Sequence, residues 1–153
     1  MGNEDQPPVY AYQFRWGTVD AQGKSPLPLQ WGKELGAFHA LDIPFFLGHD
    51  TTLGVFQVVL FSWQNAPGRK ALSAAMMRYV ARFARTGDPN PPDGSLPEWA
   101  PWSRVPGGPR YIVFDVRGKE PTLEMSKEEL TDDDVMASVS ADLPEPLRSR
   151  TLR

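Results

Sequence analysis

VYAYQF, residues 9–14, is the run on which the reading of the fold turns. Its alternate positions are Val9, Ala11 and Gln13 on one side and Tyr10, Tyr12 and Phe14 on the other, so both faces are largely apolar. A strand with one wet face alternates polar and apolar residues; a strand covered on both faces does not. The run is therefore read as a strand buried between layers, in a parallel or mixed sheet. It needs covering on both sides, yet only the polar, proline-ended MGNEDQPP precedes it, which reads as a loop.

Residues 16–36 are loop-like, rich in Gly and Pro. GVFQVVLFSW, residues 54–63, is β-branched and aromatic throughout and fits a helix or a strand equally. The strongest helical pattern lies in APGRKALSAAMMRYVARFARTGDPN, where Leu72, Ala75, Met76, Tyr79, Val80 and Phe83 recur at helical spacing. Arg69, Arg78, Arg82 and Arg85 fall mostly off that stripe. Pro67 suits a first turn, and Gly87 with Pro89 marks a stop, which predicts a helix over 68–86. A proline-rich loop with two tryptophans follows. YIVFD (111–115) reads as a strand, VRGK as a turn and PTLEM as the hairpin partner. The tail from Ser126 is acidic and then basic, with helical character around 127–139.

A chain of 153 residues with 41% hydrophobic and 23% charged residues is long enough for one domain with a core. Net charge is −3, the wrong sign for a phosphate-binding surface, so nucleic acid is not an expected partner. There is no cysteine, which excludes disulfides, thiolate metal sites and a cysteine nucleophile. The first residues show neither a basic start nor an apolar stretch, and no apolar run reaches the roughly 18 residues of a membrane span. The expectation is a soluble chain, with the cytoplasm favoured.

GTVDAQGKS ends like a phosphate-binding loop, but five residues separate Gly17 from Gly23 where the motif needs four, and Pro26 opposes a helix there. His39 and His49 are ten apart, with Asp42 and Asp50 near them, which matches no common ligand spacing, so no metal is expected. His49, in LGHDTT, reads as a surface-loop residue, with Asp50 or Thr51 capping the next helix. His39, in GAFHALDIPFFLG (36–48), has a different setting. It stands on a loop beyond the buried strand, where catalytic groups collect. Asp42 is within reach of the loop backbone and suited to hold its shape. Against this, a lone histidine is often a buried group satisfied by a backbone partner.

The order VYAYQF, GAFHALDIPFFLG, ALSAAMMRYVARFARTGDPNP, LPEWAPW and RYIVFD resembles the C-terminal part of type-B carboxylesterases, which include para-nitrobenzyl esterases and cholinesterases. The likeness runs from about Val9 to Asp115. It implies the C-terminal portion of an α/β-hydrolase fold with an incomplete sheet. Residues 9–14 would be the last central strand, 36–48 the histidine loop, 68–86 a covering helix and 111–125 an edge hairpin. It also implies that His39 is the general base of a Ser-His-Glu (or Asp) triad and that Asp42 is a supporting loop residue. Phe38, Leu41 and Phe46 are candidates to line an acyl or alcohol pocket or to pack in the core. The expected substrate is a small carboxylic ester, with no metal or organic cofactor.

The rest of a triad is not legible. None of the nine serines lies in Gly-x-Ser-x-Gly, and the sole serine before His39 is Ser25, between Lys24 and Pro26. The upstream acids Glu4, Asp5, Asp20 and Glu34 follow no recognisable strand, and no Gly-Gly pair precedes His39 to build an oxyanion hole. The expectation is a C-terminal fragment over 1–153, with loop 1–8, family-like region 9–125 and tail 126–153. It is expected to be inactive without the missing N-terminal part of the hydrolase domain. The alternatives are a non-catalytic binding or adhesion module of the cholinesterase-like kind, or a decayed remnant.

Overall fold

Of the run at 9–14, the sheet takes in Tyr12–Phe14 (β1), while 9–11 have no regular secondary structure. The computed structural model describes residues 6–18, 20, 24–27, 31–49, 54–55, 58, 60–129, 131–134 and 136–137. β1 pairs in parallel with Tyr111–Arg117 (β2), Gln13 opposite Val113. β2 in turn pairs antiparallel with Glu120–Ser126 (β3), giving the order β1-β2-β3. The sheet is mixed, and with its helices the chain has an α/β architecture compatible with a piece of a larger α/β fold.

The expectation that residues 9–14 are buried on both faces is not met in this chain. Val9 is 50% exposed and Tyr12 42%. Position explains it: β2 flanks one side of β1, and no described strand flanks the other, so a run composed for a sheet interior lies at an edge. Ile112 N–H donates to the Ala11 carbonyl at 3.0 Å, and Arg15 N–H to the Phe114 carbonyl at 2.8 Å. By the alternation of a parallel ladder, Tyr12 and Phe14 direct their backbone groups to the open side.

Among the described residues, helices after β1 include Trp31–Glu34 (α1), Ile43–Leu47 (α2) and Ala66–Thr86 (α3). α1 lies inside the stretch read as loop, where its single turn is too short for a periodic signal. α3 begins two residues before the predicted start. Pro67 is in its first turn, and Gly87 at φ 75° ends it, its N–H donating to the Phe83 carbonyl at 2.8 Å. Leu72, Ala75, Met76 and Tyr79 are buried as their spacing implies, but Val80 and Phe83 are exposed. Phe83 meets the ring of Tyr10 edge-on. Arg69, expected off the stripe, is buried with its guanidinium 4.3 Å from the centre of the Phe61 ring.

The proline-rich segment after α3 is stitched across the start of β1. Trp99 Nε1 donates to the Ala11 carbonyl at 2.9 Å, Trp102 N–H to the Val9 carbonyl at 2.7 Å, and the Tyr79 hydroxyl to the Pro97 carbonyl at 2.6 Å. Trp99 thus packs between Tyr79 and Phe114 in one core with Trp16, Phe45, Leu72 and Met76. The predicted hairpin forms, but Val116 and Arg117 belong to β2. The turn is Gly118–Lys119 alone, with Gly118 at φ 65° as a two-residue loop with glycine first requires. In the ambiguous 54–63 run, described residues 58 and 60 are helical. In the tail, 132–134 and 136–137 are helical while 127–129 are not. No helix among the described residues is long and apolar enough to cross a membrane.

Candidate functional site

The loop that carries His39 is shaped by two backbone conformations. Gly36 has φ 52°, ordinary for glycine, but Ala40, directly after the histidine, has φ 68°. Ala40 is the sole non-glycine residue with positive φ among the described residues. Holding a β-carbon in the left-handed region costs about 1–2 kcal/mol, so the surrounding contacts must impose it. They are close at hand. Leu41 is fully buried in the core, and its N–H donates to the Phe38 carbonyl at 3.1 Å. The Ile43 N–H then donates to the Ala40 carbonyl at 3.3 Å, which starts α2. Between the half-buried Phe38 and the buried Leu41, His39 is exposed.

His39, Ala37, Phe38, Ala40, Asp42 and Ile43 line an open depression of about 400 Å³, closed on one side by Phe14. Phe14 is the last residue of β1, so the depression opens at the carboxyl end of the parallel strand, where α/β sheets place their ligands. Among the described residues, no hydrogen-bond partner faces the His39 imidazole. It is not the satisfied core histidine of the bland alternative.

Through its side chain, Asp42 bonds β1 rather than the first turn of its own helix. It stands at the N-cap of α2, yet its side chain makes no capping bond. Its Oδ2 instead accepts the Tyr12 hydroxyl at 2.7 Å, a link across thirty residues from β1. Burial, and then this bond to the carboxylate, push the Tyr12 phenol up to about 12. The Tyr12 ring also stands edge-on to Phe46, 5.2 Å between centres. Sequence reasoning missed Tyr12 as a site residue. It appeared there as one more apolar position of a strand, and nothing local marks which residue its hydroxyl will meet.

The remaining candidates divide by placement. Phe38 lines the depression. Leu41 lies in the core, and Phe46 packs on Tyr12 and Phe114, away from the lining. The Ser25 hydroxyl is committed to its own loop, donating to the Gly17 carbonyl at 2.7 Å and accepting the Leu27 N–H at 3.1 Å. Every other described serine is likewise engaged in a local or packing bond. His49 is exposed at the far end of α2, while Asp50 and Thr51, with Glu4 and Asp5, lie outside the described residues. No cluster of potential metal ligands occurs among the described residues.

The profile of the carboxylesterase family matches residues 2–130. Over 109 residues, 71% of the chain, the sequence is 33% identical to carboxylesterase 4A of Bos taurus and 35% identical to carboxylesterase 5A of Mus musculus. Over 110 residues it is 34% identical to acetylcholinesterase of Gallus gallus. The matched region spans 16% of the length of each carboxylesterase and 12% of the acetylcholinesterase.

Proposed function

The chain belongs to the carboxylesterase family, and from that premise we propose that it supplies the proton-transferring histidine, His39, to a serine-dependent hydrolysis of small carboxylic esters. The observation that carries the reading is the placement of His39. It is exposed in a depression at the carboxyl end of β1, on a turn whose Ala40 is held at φ 68°. In this reading His39 takes the proton of a serine hydroxyl contributed from outside the chain, and the serine oxygen attacks the ester carbonyl. The imidazolium then protonates the departing alcohol, and His39 next activates the water that releases the acid. No metal or organic cofactor takes part.

The serine, its acid partner and the oxyanion donors would come from the rest of an α/β-hydrolase domain. That part would dock on the open side of β1, which would then become a central strand. Two features support this: the apolar make-up of residues 9–14 and the individual exposure of the apolar side chains Ile43, Leu47, Met77, Val80 and Phe83. Alone, the chain is proposed to be inactive.

The test is to isolate the polypeptide that carries this chain as its source cell makes it, weigh it, and treat it with a fluorophosphonate serine reagent. The reading expects a mass several times 17.1 kDa, labelling of one serine, and loss of ester turnover by at least about 10⁴-fold in His39→Gln. A polypeptide that takes up no label, or whose turnover survives His39→Gln, sinks it and leaves a binding role.

A further inference from the structure

We propose that Tyr12 and Asp42 act together as a pin that positions His39, the phenol of β1 fixing the end of the histidine loop so that the imidazole points into the depression beside Phe14. The inference rests on reading His39 as the proton-transferring group, and it adds two positioning residues to it.

The geometry separates this role from simple stabilisation of α2. A carboxylate at an N-cap ordinarily accepts the backbone N–H groups of the first turn, and this one makes no such bond. The first-turn donors close on the Asp42 backbone carbonyl instead, Phe45 N–H at 3.0 Å and Phe46 N–H at 3.1 Å. Its side chain is thereby left for the Tyr12 hydroxyl at 2.7 Å. Three residues in a row are thus fixed by different means: Ala40 by a strained turn, Leu41 by burial, and Asp42 by a bond to the sheet. His39, immediately before them, is the member that faces outward. Tyr12 and Phe14 share one face of β1, so the residue that pins the loop and the residue that walls the depression belong to one rigid element. The Tyr12 phenol, pushed up to about 12 by burial and the bond to Asp42, remains a donor throughout the pH range in which a histidine base operates.

The chain has two histidines, so its aromatic proton–carbon spectrum separates His39 from His49, which stands at the opposite end of α2. Tyr12→Phe keeps the ring packed on Phe46 and removes the hydroxyl alone; Asp42→Ala removes the acceptor; Asp42→Glu keeps one. The pin expects Tyr12→Phe and Asp42→Ala to move the His39 signal by more than its linewidth and in the same direction. The double variant should resemble either single one, His49 should stay in place, and Asp42→Glu should hold His39 near its parent position. Unmoved His39 signals in both single variants overturn the proposal. So does equal movement of His39 and His49 with a lowered melting temperature, which would mean general loosening. In the esterase carrying the chain, Tyr12→Phe should lower kcat by about 10- to 100-fold with KM unchanged. A displaced His39 signal in a polypeptide that hydrolyses no ester upholds the pin and refutes the esterase reading. An active esterase with an undisturbed signal does the reverse.

Discussion

Ala40 carries the local cost of presenting His39. Its φ of 68° suits glycine, and replacing it should relieve about 1–2 kcal/mol of strain, offset by about 0.4–1 kcal/mol for the freer unfolded chain. Ala40→Gly is therefore expected to raise the urea midpoint slightly and Ala40→Val to lower it, with equilibrium unfolding as the measurement. Tyr12 gives a second prediction at this scale. Its folded-state phenol is raised to about 12 from 10, as is that of Tyr79, which burial alone shifts. A group whose protonated form is favoured by folding contributes fully below its unfolded value, near 10, and that contribution is lost as pH climbs through about 12. Stability should hold up to about pH 10 and fall between 10 and 12, more gently in Tyr12→Phe, as followed by alkaline unfolding and phenolate absorbance. At neutral pH these phenols leave no slope.

α3 shows at the level of an element how tertiary contact overrides local preference. Gly68 lies in its first turn, where alanine would ordinarily add up to about 1 kcal/mol of helix propensity. A β-carbon there would overlap the Val116 methyl and come within 3.1 Å of the Gly118 carbonyl oxygen, at the tip of the hairpin. Gly68→Ala is expected to destabilise by about 1–3 kcal/mol despite the better helix former. Further along, Met76→Ala should cost about 2–5 kcal/mol because the side chain is fully buried. The exposed Val80→Ala should change stability by no more than about 0.5 kcal/mol. Chemical denaturation of the three variants distinguishes these outcomes, and a Gly68→Ala variant more stable than the parent would refute the packing argument. The helix itself was legible from spacing, proline and glycine. The need for glycine at position 68 was not, because the atom it avoids lies 48 residues away in sequence.

At the scale of the molecule, the central fact is a strand of interior composition at the edge of the three-stranded sheet that the described residues form. Hydrogen exchange gives a direct reading of that edge. In the isolated chain the Tyr12 and Phe14 amides should exchange quickly while Ile112, bonded to Ala11 at 3.0 Å, is protected. Protection of Tyr12 and Phe14 in the isolated chain would show that something already covers the edge. The sequence by itself determined the pieces: α3 and its stop at Gly87, a hairpin starting at Tyr111, the apolar run at 9–14, and the loop at 36–48 that carries His39. Those rest on periodicity and on Gly and Pro, which act within a few residues and can be read along the chain. Only the tertiary structure decided that β1 pairs in parallel with β2 and that Trp99 closes over Tyr79. It also decided that Leu41 and Phe46 enter the core while Phe38 lines the depression, and that Asp42 bonds Tyr12 rather than its own helix. Each of these depends on which distant side chain or strand arrives at a given place, and hydrophobic burial, being non-directional, leaves no mark of that partner in the local sequence.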